Sequence, residues 1–303
     1  MTIKAPANLP SLVKTAFHRA VSSGDVSFFP THVALLSINS NPFQLRYSPS
    51  LASKPRGPPN SSSTDKSKPP FDPFDNPSAS MLVAPVGESH ILVLNKFAIV
   101  PEHFILATKA FKPQTGLLEG ADLEAAYACV QAYHEHGEEL FVFFNSGEHS
   151  GASQPHRHLQ LLVVDRMKEG LDGRWDVLAK RLEDEETRKK LPFGACYGGI
   201  TPGMTGDELA KLYEGLYQEA CGMVGKEWNG EREAVISYNL AMTGHGMVVM
   251  PRVSEGAMVD GVWLGLNGTV LAGTALVKSE REWDVMRGDG KVEEVLGRIG
   301  VKL

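Results

Sequence analysis

The segment His156-Arg157-His158-Leu159-Gln160-Leu161-Leu162 constrains this 303-residue chain more than any other. In a β-strand, successive side chains point to opposite faces. His156, His158 and Gln160 therefore share one face, and Arg157, Leu159 and Leu161 share the other. Burying three polar groups on one face without hydrogen-bond partners would be costly, so that face needs an explanation. The loop in front, Asn145-Ser-Gly-Glu-His-Ser-Gly-Ala-Ser-Gln-Pro, is rich in small residues. Gly147, Gly151, Ser146 and Ser153 let backbone approach a ligand closely, and successive N–H groups there can form an anion nest. Such a loop feeding a strand of His, His and Gln is a coherent site for phosphoryl chemistry. A neutral histidine is a good nucleophile toward phosphorus when its other ring nitrogen is tied to an acceptor. Two other readings stay open from the spacing alone. Zinc would need a third protein ligand where the motif offers Gln, a poor one. A plain solvent-facing strand leaves the Gly/Ser loop unexplained.

The remaining chain reads as antiparallel-style runs of apolar strands with helices grouped between them. A helix is expected over Pro10 to Ser23, stopped by Gly24. HVALLSI and FQLRYS follow as strands around the turn NSNP, then SMLVAPV, SHILVLNKF and HFILATK. A helix over DLEAAYACVQAYHEHG and a buried strand ELFVFFN lead into the histidine loop. Beyond Asp165 the sequence suggests a charged helix, WDVLAKRLEDEETRKKL, and a Gly-rich link, FGACYGGITPGMTGD. A regular helix, DELAKLYEGLYQEACGMVGKE, comes next, then strands AVISYNLAMT, GMVVMPRV and TVLAGTALV. SEREWDVM and KVEEVLGRI close the chain as short helices. This order suggests an α+β fold. Residues 1–170 are expected to carry the loop and histidine strand, and residues 171–303 a C-terminal part. The Pro-, Ser-, Asp- and Lys-rich stretch from about 52 to 80 reads as a long, partly mobile loop.

Composition narrows the function. A net charge of −6 argues against general binding to nucleic-acid backbones but not against an anionic small molecule. Cys129, Cys196 and Cys221 form no CxxC pair, so neither a disulfide framework nor a structural zinc site is indicated. The first residues lack a signal peptide's apolar core, and no stretch is apolar enough to span a membrane. The expectation is a cytoplasmic protein, with a nuclear pool also compatible with the sequence, and no membrane partner.

The residues His156-Arg-His158-Leu-Gln160 resemble the histidine-triad superfamily motif in its transferase form, with Gln in place of the third His. The wider text NSGEHSGASQPHRHLQ, with LNKFAIVPEHFILATKAF upstream and ISYNLAMT…MVVMPR downstream, is similar to the fungal diadenosine tetraphosphate phosphorylases, or ATP adenylyltransferases. The likeness runs from about Phe29 to Lys278. It implies a histidine-triad-like α+β fold, akin to galactose-1-phosphate uridylyltransferase, with an antiparallel sheet carrying the histidine strand. It implies small-molecule partners only: dinucleoside polyphosphate, ATP, ADP and phosphate. It also implies an adenylyl-histidine intermediate on His158 and a possible use of adenosine phosphosulfate. Gln160 would hold a non-bridging oxygen of the transferred phosphate, and His156 would fix the orientation of His158. Asn145, Ser146, Gly147 and Ser153 lie where the family binds phosphates. Asn95 and Lys96 lie where it contacts nucleotide, and Lys54, Arg46 and Lys278 are further phosphate candidates. Asn145 can equally serve as a turn residue, and Lys96 and Lys278 as solvated lysines. His103 and His149 read as structural or surface histidines. No tightly bound cofactor and no protein-borne metal site is expected, though magnesium can travel with the polyphosphate. Around Thr243, TGHGMVVMPR departs from the family, which more often has a bulky or charged residue at Gly244 to Gly246. Gln cannot act as acid or base, which disfavours a hydrolase. A sugar-phosphate uridylyltransferase and a non-catalytic nucleotide-binding protein are the remaining alternatives.

Overall fold

The structure, a computed structural model, describes residues 2–50, 71–171 and 173–302. Its helices are α1 (Leu9–Ser23), α2 (Gly120–His134), α3 (Val164–Met167), α4 (Leu178–Arg181), α5 (Glu185–Lys189), α6 (Gly206–Met223), α7 (Glu280–Met286) and α8 (Lys291–Ile299). The first strands are β1 (Ser27–Phe28), β2 (His32–Ile38), β3 (Asn41–Tyr47), β4 (Leu82–Val86), β5 (His90–Leu94), β6 (Phe97–Ala98) and β7 (Phe104–Thr108). They continue as β8 (Leu140–Ser146), β9 (His158–Val163), β10 (Cys196–Gly199), β11 (Ser237–Met242), β12 (Gly246–Arg252), β13 (Gly256–Val259), β14 (Val262–Gly265) and β15 (Thr274–Val277). Eight strands form one antiparallel sheet in the order β10-β12-β11-β8-β9-β7-β5-β4, with β9 near its middle. A smaller sheet, β15-β3-β2, joins β3 and β15 in parallel. The fold is α+β, with an antiparallel sheet at its centre. Elements from both sides of residue 170 share the large sheet and both of its cores.

The two faces of the sheet are covered differently, and this decides where chemistry can occur. One face is buried along its length by α1, α2 and α6, with Leu106, Phe144, Leu159, Leu161 and Leu240 packing against Val13, Leu123, Tyr133 and Tyr217. Each such side chain contributes roughly 1.5–3 kcal/mol by leaving water. On the other face, Phe141, Phe143, Leu162 and Ala241 pack beneath the small sheet and α8. Among the described residues, the β5–β7 end of that face carries only Phe74 over Ile91, Val93, Ile105 and Ala107. β9 runs along the line between these two covers.

Local signals explain most elements. Gly24, in the left-handed conformation, ends α1. Glu119 and Asp122 form a capping box on α2, and Thr205 and Glu208 one on α6. Four expectations are corrected. The charged stretch 175–191 is two short helices, because Asp184 starts a new cap by accepting from Thr187 N–H and breaks the helix. The Gly-rich link contains β10, the edge strand paired with β12. Gly198 allows this, since a Cβ there would lie 2.5 Å from Leu212 Cδ1. The run 269–277 is a 3-10 turn (Gly268–Ala272) capped by Asn267, then β15. The β13–β14 hairpin has no counterpart in the sequence reading, although Asp260-Gly261 between apolar residues is a hairpin-turn signal. The 244–246 turn lies beyond Met242, at the opposite end of β11 from Tyr238 and Asn239.

Candidate active site

β9 presents His158 and Gln160 on the less covered face, opposite Ala107 and Ile105 of β7. His158 is 4% exposed. Its Nδ1 donates to the carbonyl of His156 at 2.8 Å. Among the described residues, no hydrogen bond takes its Nε2. Burial pushes the His158 ring down to about 4, against the opposing effect of the His156 carbonyl. The outcome is a neutral imidazole with its proton fixed on Nδ1 and a lone pair on Nε2.

The backbone of His158 is held by a residue that the sequence reading did not single out. Gln114 Oε1 accepts from His158 N–H at 2.8 Å. Its Nε2 donates to the carbonyls of Asn145 at 2.8 Å and His158 at 3.1 Å. The β8–β9 ladder ends at Phe143–Gln160, so this amide fills the gap where the strands part. No sequence pattern marks an isolated Gln for such a role.

His156 is also buried. Its Nε2 donates to the Thr108 carbonyl at 2.8 Å, with Thr108 Oγ1 at 3.0 Å. Its Nδ1 faces Asp72 Oδ2 at 2.6 Å. Both ring nitrogens of His156 thus face oxygen acceptors, which fixes the plane of the ring. Phe74 lies 5.0 Å from the His158 ring and 5.6 Å from that of His156, centroid to centroid. Asp72 and Phe74 are thus packed on the site, whereas a mobile loop was expected there; the stretch before them, Lys54 included, lies outside the described residues.

Behind the strand, Arg157 points to the helix-covered face. Its Nη1 donates to Asp122 Oδ2 and Glu119 Oε1, both at 2.9 Å. His90 Nε2 meets Asp122 Oδ1 at 2.8 Å. Burial raises the Asp122 carboxyl, but the bonds from His90 and Glu119 N–H and the charge of Arg157 outweigh it and hold it low.

The other expected residues separate into groups. Asn145 Oδ1 accepts from Asn239 Nδ2 and Gly268 N–H, both at 2.9 Å, so it anchors the 3-10 turn. Asn239 in turn accepts from the buried Arg252. The Ser146 hydroxyl lies on the helix-covered face by strand alternation, paired in register with Tyr238; only its backbone belongs to the loop. Gly147 and Gly151 have φ of +87° and +78°. A Cβ on Gly147 would meet Ser237 Oγ at 2.4 Å, so only glycine fits this close approach. Ser153 is exposed in the loop. Asn95 Nδ2 donates to His103 Nε2 at 3.3 Å, and His103 adjoins Gln160. His103 is therefore within the site; burial pushes it down to about 4, opposed by Gln160. Lys96 is exposed, with its ammonium over Phe97. Lys278 is exposed at the end of β15. Arg46 is buried, and its three guanidinium nitrogens donate to Gln44, Thr31 and Met167. It holds the small sheet to α3. His149 is tied through its N–H to Ser237. Cys129, Cys196 and Cys221 are free thiols, all buried. No helix among the described residues is long and apolar enough to cross a membrane.

An antiparallel α+β sheet that presents a neutral, backbone-tethered histidine two residues before a glutamine, next to a glycine loop, defines a nucleotidyl-transfer enzyme of the histidine-triad type. The family models agree. The Ap4A phosphorylase N-terminal domain matches residues 1–172, and the ATP adenylyltransferase C-terminal domain matches residues 189–302. The chain belongs to the Ap4A phosphorylase family. It is 32% identical over 273 residues to diadenosine 5',5'''-P1,P4-tetraphosphate phosphorylase 2 of Saccharomyces cerevisiae, covering 82% of this chain and 79% of that one. It is 29% identical over 297 residues to Protein APA1 of the same yeast, covering 91% and 88%. The crystal structure of yeast Ap4A phosphorylase Apa2 superposes with a TM-score of 0.79 at 25% identity, covering 99% of this chain and 98% of that one.

Proposed function

We propose that this protein cleaves diadenosine tetraphosphate with inorganic phosphate, giving ATP and ADP, through an adenylyl-His158 intermediate. The observation that carries this reading is the state of His158: neutral, with Nδ1–H donated to the His156 carbonyl and the Nε2 lone pair on the face shared with Gln160. Nε2 attacks an α-phosphorus of the dinucleotide. An N–P bond forms, the P–O bond to the leaving ATP breaks, and ATP departs as an anion that needs no proton. The Nδ1 proton stays in place, and the His156 carbonyl stabilises the positive charge the ring acquires. A phosphate oxygen then attacks the same phosphorus, the N–P bond breaks, ADP forms and His158 returns to its neutral state. Gln160 donates to a non-bridging oxygen of the transferred group, and backbone N–H groups between Gly147 and Ser153 hold the polyphosphate. Magnesium arrives with the substrate.

The test is incubation with diadenosine tetraphosphate, with and without phosphate, followed by nucleotide separation. ATP plus ADP formed only with phosphate is expected, and His158→Ala should abolish it. Equal turnover without phosphate would instead make the protein a hydrolase, and full activity in His158→Ala would remove His158 from the chemistry.

A further inference from the structure

The segment 71–80 brings a carboxylate to the histidine strand from outside the sheet. Asp72 uses both carboxylate oxygens. Oδ1 accepts from Phe74 N–H at 2.9 Å, and Oδ2 accepts from His156 Nδ1–H at 2.6 Å. The first bond turns the chain so that the Phe74 ring, 5% exposed, lies against His158 and His156. The second fixes a ring whose other nitrogen is already committed to the Thr108 carbonyl. The same residue, His156, supplies the carbonyl that sets the tautomer of His158. One carboxylate therefore controls both the roof over the nucleophile and the residue that orients it.

We propose that Asp72 is a positioning residue for adenylyl transfer, acting through His156 and Phe74 to hold the His158 Nε2 lone pair in line with the α-phosphorus. This rests on the phosphorolytic reading above. Asp72 carries no bond to His158 and takes no proton during the reaction. Its contribution is orientation, and a misplacement of about 1 Å at a reacting atom can cost about a hundredfold in rate.

Asp72→Asn keeps the shape and removes the charge; Asp72→Glu keeps the charge and lengthens the arm. The full-length protein would be assayed with diadenosine tetraphosphate and phosphate. A fall in kcat of about 10- to 100-fold is expected for Asp72→Asn, with KM little changed and partial recovery in Asp72→Glu. In histidine-labelled protein, NMR should show a downfield, exchange-protected proton on His156 Nδ1. It should be absent from Asp72→Asn and from His156→Gln. The proposal is overturned by kcat within twofold of wild type in Asp72→Asn, by a loss confined to KM, or by the absence of that ring proton from the wild-type spectrum. The NMR measurement needs no turnover, so it decides the matter even if a variant folds poorly. A wild-type protein without phosphate-dependent turnover would overturn the functional reading instead, while the ring proton would still report the Asp72–His156 bond.

Discussion

The side chain of Gln114 does for the backbone of His158 what a neighbouring strand would do. It accepts the His158 N–H and donates to the His158 carbonyl, while its amide also reaches Asn145 across the gap between β8 and β9. The nucleophile therefore emerges from a rigid junction, not from a frayed strand end. Gln114→Glu preserves the shape but replaces the donating nitrogen with an oxygen facing two carbonyls. We expect kcat for phosphorolysis to fall about 10- to 100-fold with a much smaller effect on KM. Steady-state kinetics would check this, and an unchanged kcat would mean that the junction does not matter for chemistry.

Arg157 secures the other side of the same strand. Removing it leaves Asp122 buried with, among the described residues, only His90 as a side-chain partner for its charge. Breaking a buried, hydrogen-bonded ion pair costs about 3–5 kcal/mol. Arg157→Leu should lower the free energy of unfolding in urea by that order, while a change under about 1 kcal/mol would be an ordinary surface effect.

Two buried histidines, His103 and His158, make the fold sensitive to acid. The His158 ring is held at about 4 in the folded state, against an ordinary value of 6.5. Between those values the unfolded chain binds a proton that the folded chain refuses. The stability is fully present above 6.5 and declines as pH falls toward 4. Between pH 7.5 and 5 this one group accounts for about 2 kcal/mol. His158→Gln should show that much less acid destabilisation in urea melts at the two pH values. Equal acid sensitivity in both proteins would place the titration elsewhere.

Gln160 is expected to govern the fate of the intermediate. Its amide cannot act as a general base toward an attacking water, whereas inorganic phosphate arrives as an anion and needs less activation. Gln160→His should raise AMP release without phosphate, relative to phosphorolysis, by about tenfold or more. If both rates stayed as in the wild type, glutamine would not be the determinant.

Gly151 tests the loop. A Cβ there would lie 2.7 Å from Asn267 Cβ, in a backbone with φ of +78°. Gly151→Ala should raise KM for the dinucleotide more than it lowers kcat, and should destabilise the fold by about 1–3 kcal/mol. A change in kcat alone would argue against a role for the loop in holding phosphates.

The two-sided character of the histidine strand, the glycine positions of the loop and most of the strands and longer helices are legible from the residues alone. These follow from local rules: alternation along a strand, helical periodicity, caps and positive-φ turns act over a few residues and can be read without knowing what lies opposite. The family likeness supplied the expected roles of His158 and Gln160 from matched positions. Which neighbours complete the site depends on the three-dimensional packing. Gln114 and Asp72 come from segments 44 and 84 residues away from the groups they hold, and neither stands in a pattern that announces it. His103 reads as an ordinary histidine until β7 pairs with β9 and sets it beside Gln160. Ser146 and Arg46 read as phosphate ligands until the sheet turns the hydroxyl of one toward the helices and the packing gives each guanidinium nitrogen of the other a protein acceptor. Side-chain alternation says which residues share a face; only the order of strands, and what covers them, says which face stays open to a substrate.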